Sequence, residues 1–214
     1  MPPRLCVYID GFNFYYGALV DKPQYKWLNP EALVYCFFPK EKNTLVEIKY
    51  FSAQVKALPY DPHAPERQKT YWKALESLSC FRIIEGKFVS RTQARRLVVP
   101  PHYKVDVFET TEKETDVNLA VHLLNDAHLN RYDLAIVISN DSDLVEAVRL
   151  VRKDVRKKVC VLRHRRNRGT ELIKAANFSK TITEEHLAQA QFPETITLAD
   201  GTSVSRPSLW SHNQ

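Results

Sequence analysis

Four aspartates sit where a folded chain could bring carboxylates together. Asp10 ends the apolar run Leu5-Cys6-Val7-Tyr8-Ile9, Asp141 and Asp143 follow the apolar run Leu134 to Ile138, and Asp116 falls early in a helical segment. Asn13 follows Asp10 by one turn. Ionised carboxylates within a few ångströms of one another repel, so such a cluster either raises some of their pKa values or attracts a cation. Mg²⁺ and Mn²⁺ prefer oxygen ligands and commonly bridge carboxylates to phosphate. Ions of this kind activate water and stabilise the leaving oxygen of a phosphodiester. Each acid also has a plainer reading. Asp10 can be a turn residue, Asn140 or Asp141 a helix N-cap with Asp143 in the favourable first turn, and Asp116 a solvated residue paired with Lys113.

The elements that must position these acids alternate between strand and helix. Leu5–Ile9 reads as a central strand covered on both faces, with Gly11 permitting the turn after Asp10. A short helix is predicted from Phe14 to Gly17, and Asn29-Pro30-Glu31 caps a second helix to Phe38. A β-rich segment from Leu45 to Ala57 is followed by a helix carrying Tyr71, Trp72, Leu75 and Leu78 at helical spacing, then by a strand at Phe81–Ile84. Residues 86 to 108 form a basic, hairpin-like insertion with strand pieces at Lys87–Val89 and Leu97–Val99. Thr111-x-x-Glu114 reads as a capping box opening a helix to Leu129, with Val117, Ala120, Val121 and Leu124 facing the core.

The strand at Leu134–Ile138 leads through the Asp141 turn into a helix ending near Lys153, and Val159–Leu162 is a fifth strand. A short helix from Gly169 to Phe178, an edge strand at Thr181–Thr183 and a hairpin turn at Ala199–Thr202 complete the reading. Alternation of this kind predicts a mostly parallel α/β sheet with helices on both faces. In the order 3-2-1-4-5 the first and fourth strands are neighbours, and their carboxyl ends meet at the switch point where such sheets bind ligands. Residues 1–190 then form the domain and 191–214 a C-terminal tail; whether the chain forms a homodimer is left open.

Composition narrows the classes. A 214-residue chain with 44% hydrophobic and 26% charged residues can bury an ordinary core, so disorder is not expected. No run approaches the ~20 apolar residues of a membrane span, and the N-terminus leads straight into a strand, so the expectation is a soluble, cytoplasmic protein without a membrane partner. Cys6, Cys36, Cys80 and Cys160 lack Cys-x-x-Cys spacing and read as buried thiols rather than zinc ligands. A net charge of +6 points to a polyanionic partner. No Gly-x-Gly-x-x-Gly follows the first strand, which argues against a dinucleotide site. Phe12 stands where an aspartyl-phosphate phosphatase would carry a second Asp.

Tyr8-Ile9-Asp10-Gly11-Phe12-Asn13, Lys113-Glu114-Thr115-Asp116-Val117 and Ser139-Asn140-Asp141-Ser142-Asp143-Leu144 resemble, in this order, the three signature segments of NYN-domain proteins in the PIN-like nuclease superfamily. The resemblance covers about residues 4 to 182. It implies a PIN-like, Rossmann-like three-layer α/β/α sandwich and Mg²⁺- or Mn²⁺-dependent cleavage of nucleic acid, above all RNA. It transfers the metal-binding role to Asp10, Asp116, Asp141 and Asp143, with Asn13 assisting. The family often has Gly at positions 114 and 140; Glu114 would add a carboxylate beside the site, and Asn140 would tolerate left-handed backbone. Lys113, Arg95, Arg96, Arg163, Arg165 and Arg166 are expected to grip substrate phosphates, and Tyr15, Tyr16 and Tyr103 offer faces for base stacking. A nucleic-acid-binding module with a weak or inactive pocket, and a phosphatase or nucleotide hydrolase using the same acids, are the competing expectations.

Overall fold

The computed structural model describes residues 1–57, 59–164 and 170–211. Strand β1 (Arg4–Asp10) lies at the centre of a six-stranded sheet because both of its faces are apolar. It pairs in parallel with β2 (Thr44–Ser52) on one side and with β6 (Leu134–Ile138) on the other. Strand β3 (Phe81–Glu85) extends the sheet beyond β2, while β7 (Lys158–Arg163) and β8 (Phe178–Thr181) extend it beyond β6. All of these pairs are parallel. Counted within this sheet, the order is the expected 3-2-1-4-5 with a sixth strand added at the far edge.

The period-2 alternation of β1 divides the core between two layers. Leu5, Val7 and Ile9 pack with residues of α1 (Gly11–Phe14), α2 (Pro30–Phe37) and α7 (Glu184–Gln189). Cys6 and Tyr8 face α4 (Thr115–His128), α5 (Val145–Lys153) and α6 (Thr170–Ala175). Helix α3 (Ala64–Glu76) flanks β3, and with Trp27 it takes the C-terminal segment: Phe192, Val204 of the β9–β10 hairpin (Thr195–Thr197, Ser203–Ser205) and Trp210 join Trp27 and Trp72 in one buried cluster. No helix among the described residues is long and apolar enough to cross a membrane.

Several local expectations shift. The second strand stops at Ser52 because the Gln68 side chain takes the Val55 N–H and the Ala53 carbonyl, drawing the chain away from the sheet. The first helix does not end at Gly17 but continues as a wide turn through Leu19. The edge strand begins at Phe178, earlier than expected. The insertion is a long antiparallel hairpin of β4 (Lys87–Arg96) and β5 (Lys104–Lys113), and Leu97–Val99 belongs to its loop.

That register overturns the capping box, since Thr111 is paired with Val89 inside the hairpin. Helix α4 starts instead behind Glu114, whose φ of 84° is left-handed, and the Glu112 side chain accepts the Thr115 N–H at 3.1 Å. The core face of α4 is also rotated. Leu119, Leu123 and Ala127 are buried, whereas Val117 and Val121 are 65% and 58% exposed. Asp126 fixes this face by accepting from buried Lys49 and from the Tyr8 hydroxyl. Cys36 is exposed, unlike buried Cys6 and Cys160.

Candidate metal centre

The parallel pairing of β1 with β6 sets the carboxyl ends of two strands side by side, and each end carries an acid into one cleft of about 490 Å³. Asp10 is 4% exposed. Its Oδ1 accepts the Asn13 N–H and its Oδ2 accepts the Ser139 hydroxyl, both at 3.0 Å. Ser139 in turn accepts the Asp141 N–H at 3.0 Å, so one hydroxyl ties the two strand ends together. Asp141 caps the following turn through Oδ1, which accepts the Asp143 N–H. The N-cap reading is therefore correct and compatible with a second role for the other oxygen. Asp116 arrives from the first turn of α4, and carboxylate oxygens of Asp10, Asp116 and Asp141 lie within 4.8 Å of one another.

The electrostatics register this crowding. Burial, and then the charges of Asp116 and Asp141, push the Asp10 carboxyl up to about 7 despite its two hydrogen bonds. Asp116 is raised by burial first, then by Asp141, Glu112 and Asp143. Asn140 also lines the cleft, and its Oδ1 is buried without a hydrogen-bond donor among the described residues. A compact set of hard oxygen donors whose charge is poorly tolerated fits a divalent cation of the Mg²⁺ or Mn²⁺ type. Asp10, Asp116 and Asp141 are the residues that would hold it.

The remaining expected site residues separate. Asp143 is exposed and stands outside the triad, though its charge reaches Asp116. Asn13 lines the cleft as a strut: its Oδ1 accepts the Asn140 N–H at 3.0 Å and meets His164 Nε2 at 2.9 Å. Glu114 does not join the acids, because it pairs with Lys87; Glu112 is the additional carboxylate that lines the cleft. Asn140 has no left-handed backbone.

The basic residues lie apart from the acids. Arg95 pairs with Glu109, and Arg95 and Arg96 stand eight or nine positions from the Lys87 root of the hairpin, roughly 25–30 Å along a strand. Lys113 is exposed at the end of β5. Arg163 donates to Thr181 at 2.7 Å at the sheet edge. Arg165, Arg166 and Arg168 lie outside the described residues. Tyr16 lines the cleft, whereas Tyr15 faces a neighbouring cavity and Tyr103 lies near the hairpin tip.

His164, Glu112 and Ser139 are the site residues that sequence reasoning missed. His164 has no ligand-like spacing to another histidine or acid in the sequence, yet it sits directly after β7 and reaches Asn13 across Gly17. A methyl group at Gly17 would lie 1.7 Å from its Cε1. The signal was the glycine, not the histidine.

Known proteins resemble this chain in sequence or in fold. The chain is 32% identical to 6-hydroxy-3-succinoylpyridine 3-monooxygenase HspA of Pseudomonas putida (strain DSM 28022 / S16), over 91% of this chain and 72% of that protein. A crystal structure of VPA0982, a protein of unknown function from Vibrio parahaemolyticus RIMD 2210633, matches with a TM-score of 0.54 at 17% identity, covering 86% of this chain and 95% of that one. That likeness is one of fold. The family model for the NYN domain matches residues 4–183, and the chain belongs to the NYN domain family.

Proposed function

We propose that this protein is a divalent-metal-dependent nuclease that hydrolyses phosphodiester bonds, with RNA as its substrate. The observation that carries the reading is the convergence of Asp10, Asp116 and Asp141 within 4.8 Å at the end of two neighbouring strands. Membership of the NYN family supports it. Asp10, Asp116 and Asp141 would hold a divalent cation, which would supply charge neutralisation, activation of water and stabilisation of a leaving oxygen.

The chain's own residues hold the geometry. Ser139 links Asp10 to Asp141, and Asn13 links the turns after β1, β6 and β7 through Asn140 and His164. Glu112 ties the hairpin root to the start of α4, which carries Asp116. Asp143 sits at the rim, where it can act through water rather than as a direct ligand. The cationic groups of the hairpin, Arg96 and Lys104 at its tip and Arg91 along β4, offer phosphate contacts distant from the cleft.

The test is incubation of end-labelled single-stranded RNA, single-stranded DNA and an aryl phosphate with Mn²⁺, Mg²⁺ or EDTA. RNA cleavage that requires the metal and vanishes in Asp141→Asn is the expected result. Turnover of the aryl phosphate alone would assign a phosphatase. Tight RNA binding in EDTA without turnover would assign a binding module.

A second reading has one observation in its favour, the name of the relative that is 32% identical over most of the chain. It is oxygenation of a hydroxypyridine, which consumes O₂ and two electrons from a reductant such as a reduced nicotinamide. Substrate- and reductant-dependent O₂ uptake by the purified protein, unaffected by Asp141→Asn, would favour it over hydrolysis.

A further inference from the structure

A second cavity, of about 160 Å³, opens beside the acid cleft. Phe12 lines both, so the two share a wall. The cavity is built largely of rings: Tyr15, Tyr50, Tyr71, Trp72 and Trp210 surround it. Its floor comes from β2, where Tyr50 and Ser52 project to the same side, flanking Phe51, the register partner of Asp10. Gly11 lets the Tyr50 ring lie under the first turn, since a methyl there would meet the ring at 2.7 Å.

Three polar groups in this aromatic box are left over from folding. Ser52 is 2% exposed and lines the cavity, yet its hydroxyl makes no hydrogen bond to any described residue. The Tyr50 hydroxyl likewise has no hydrogen-bond partner among the described residues. Lys26 also lines the cavity and rests over the Tyr15 ring at 5.2 Å, with no carboxylate partner among the described residues. The other polar side chains have partners: Tyr71 donates to the Leu28 carbonyl, Gln68 serves the 53–55 backbone, and Arg67 pairs with Asp61. An aromatic cavity lined by a few convergent polar groups that no protein group engages is the usual form of a small-molecule site.

We propose that this cavity binds a single planar heteroaromatic ring bearing an anionic substituent. Its volume is close to that of a ~150 Å³ cavity that takes one benzene ring, which favours a six-membered ring over a fused pair. The aromatic walls stack on the ring, the Tyr50 and Ser52 hydroxyls meet its keto or ring-nitrogen acceptors, and the Lys26 ammonium meets the anion. A pyrimidine nucleotide and a free pyridine carboxylate share this chemistry. The inference does not depend on hydrolysis at the acid cluster, and its test is run in EDTA so that the two readings fail separately.

Titration calorimetry, with the fluorescence of Trp72 and Trp210 as a second readout, would compare UMP, AMP, uridine and 6-hydroxynicotinate on the full chain. UMP or 6-hydroxynicotinate should bind with a Kd below about 1 mM, and AMP at least about tenfold more weakly than UMP. Tyr50→Phe and Ser52→Ala should each weaken binding by about fivefold, a typical loss for one hydrogen bond. Lys26→Gln should weaken the anionic ligands and leave uridine unchanged. Binding of UMP alone would identify a nucleotide site, and of 6-hydroxynicotinate alone a site for free aromatic acids; either supports the proposal. Binding of neither, equal binding of AMP and UMP, or binding indifferent to Ser52→Ala and Lys26→Gln would overturn it. Both variants are conservative changes, so the outcome stands even if Tyr50→Phe fails to fold.

Discussion

Asp10→Asn should make the metal-free protein more stable, and the size of the gain follows from the crowding of the three acids. In the folded chain the Asp10 carboxyl is pushed from its ordinary value near 3.8 up to about 7. A group whose folded pKa is raised contributes stability that is fully present below the unfolded value and lost as pH rises through the folded one. At pH 8 the ionised Asp10 then costs the metal-free fold about 4 kcal/mol, at ~1.36 kcal/mol for each pH unit. Relaxation and water entry reduce this, and about 2 kcal/mol is a reasonable expectation. Asparagine can keep both contacts, accepting the Asn13 N–H and donating to Ser139. For a domain of this size, 2 kcal/mol corresponds to a Tm higher by roughly 4–8 °C. Thermal melts in EDTA from pH 5 to pH 8 should show the wild type falling and the variant flatter. Saturating Mn²⁺ should reverse the order, because a ligand at 100 times its Kd stabilises the wild type by about 2.7 kcal/mol. A variant that melts below the wild type at pH 8 in EDTA, by an amount independent of pH, would refute the account of a strained acid cluster.

Other perturbations test the supports. Asp141→Asn keeps a good N-cap for the turn it opens, so its Tm should stay within about 2 °C of the wild type while metal-dependent cleavage falls by at least about a hundredfold, some 3 kcal/mol of barrier. Asn13→Ala removes the acceptor for the Asn140 N–H and the contact to His164, and denaturant unfolding should show a loss of about 1–3 kcal/mol. Gly17→Ala must displace the His164 ring, and NMR of the histidine side chains should report its new environment with the rest of the spectrum retained. Lys49→Met leaves buried Asp126 with the Tyr8 hydroxyl and a 3.5 Å pairing to Arg131 alone, and a loss of about 3 kcal/mol in urea unfolding is expected.

The acids were legible in the sequence because the strands that deliver them are unambiguous. Leu5–Ile9 and Leu134–Ile138 are apolar throughout, which buries both faces and makes them neighbours in a parallel sheet, so Asp10 and Asp141 had to meet. The start of α4 was harder to read. Thr111 and Glu114 have the spacing of a cap, but the antiparallel register of β4 with β5 claims Thr111 first. The core face of that helix was ambiguous because two apolar stripes overlap on it. Contacts with Lys49 and Tyr8, distant in sequence, select the one containing Leu119 and Leu123. The basic insertion was visible as composition, yet its reach was not. Arginines at 95 and 96 are consecutive, so they point to opposite faces of β4, which no count of charges discloses.

The left-handed residue at position 114 makes the hairpin and the third acid a single mechanical unit. Only Glu114 and Thr115 separate the last residue of β5 from Asp116, and the root is clamped on both sides: Glu112 grips the Thr115 N–H, Lys87 pairs with Glu114, and a methyl at Gly86 would collide with the Lys113 carbonyl at 2.6 Å. Asp10 and Asp141, by contrast, are anchored to the sheet. Force applied at the far end of the arm is therefore delivered to Asp116 ahead of the other two acids. A molecule that bends the hairpin should move Asp116 first relative to Asp10 and Asp141, as a crank turns one jaw of a vice.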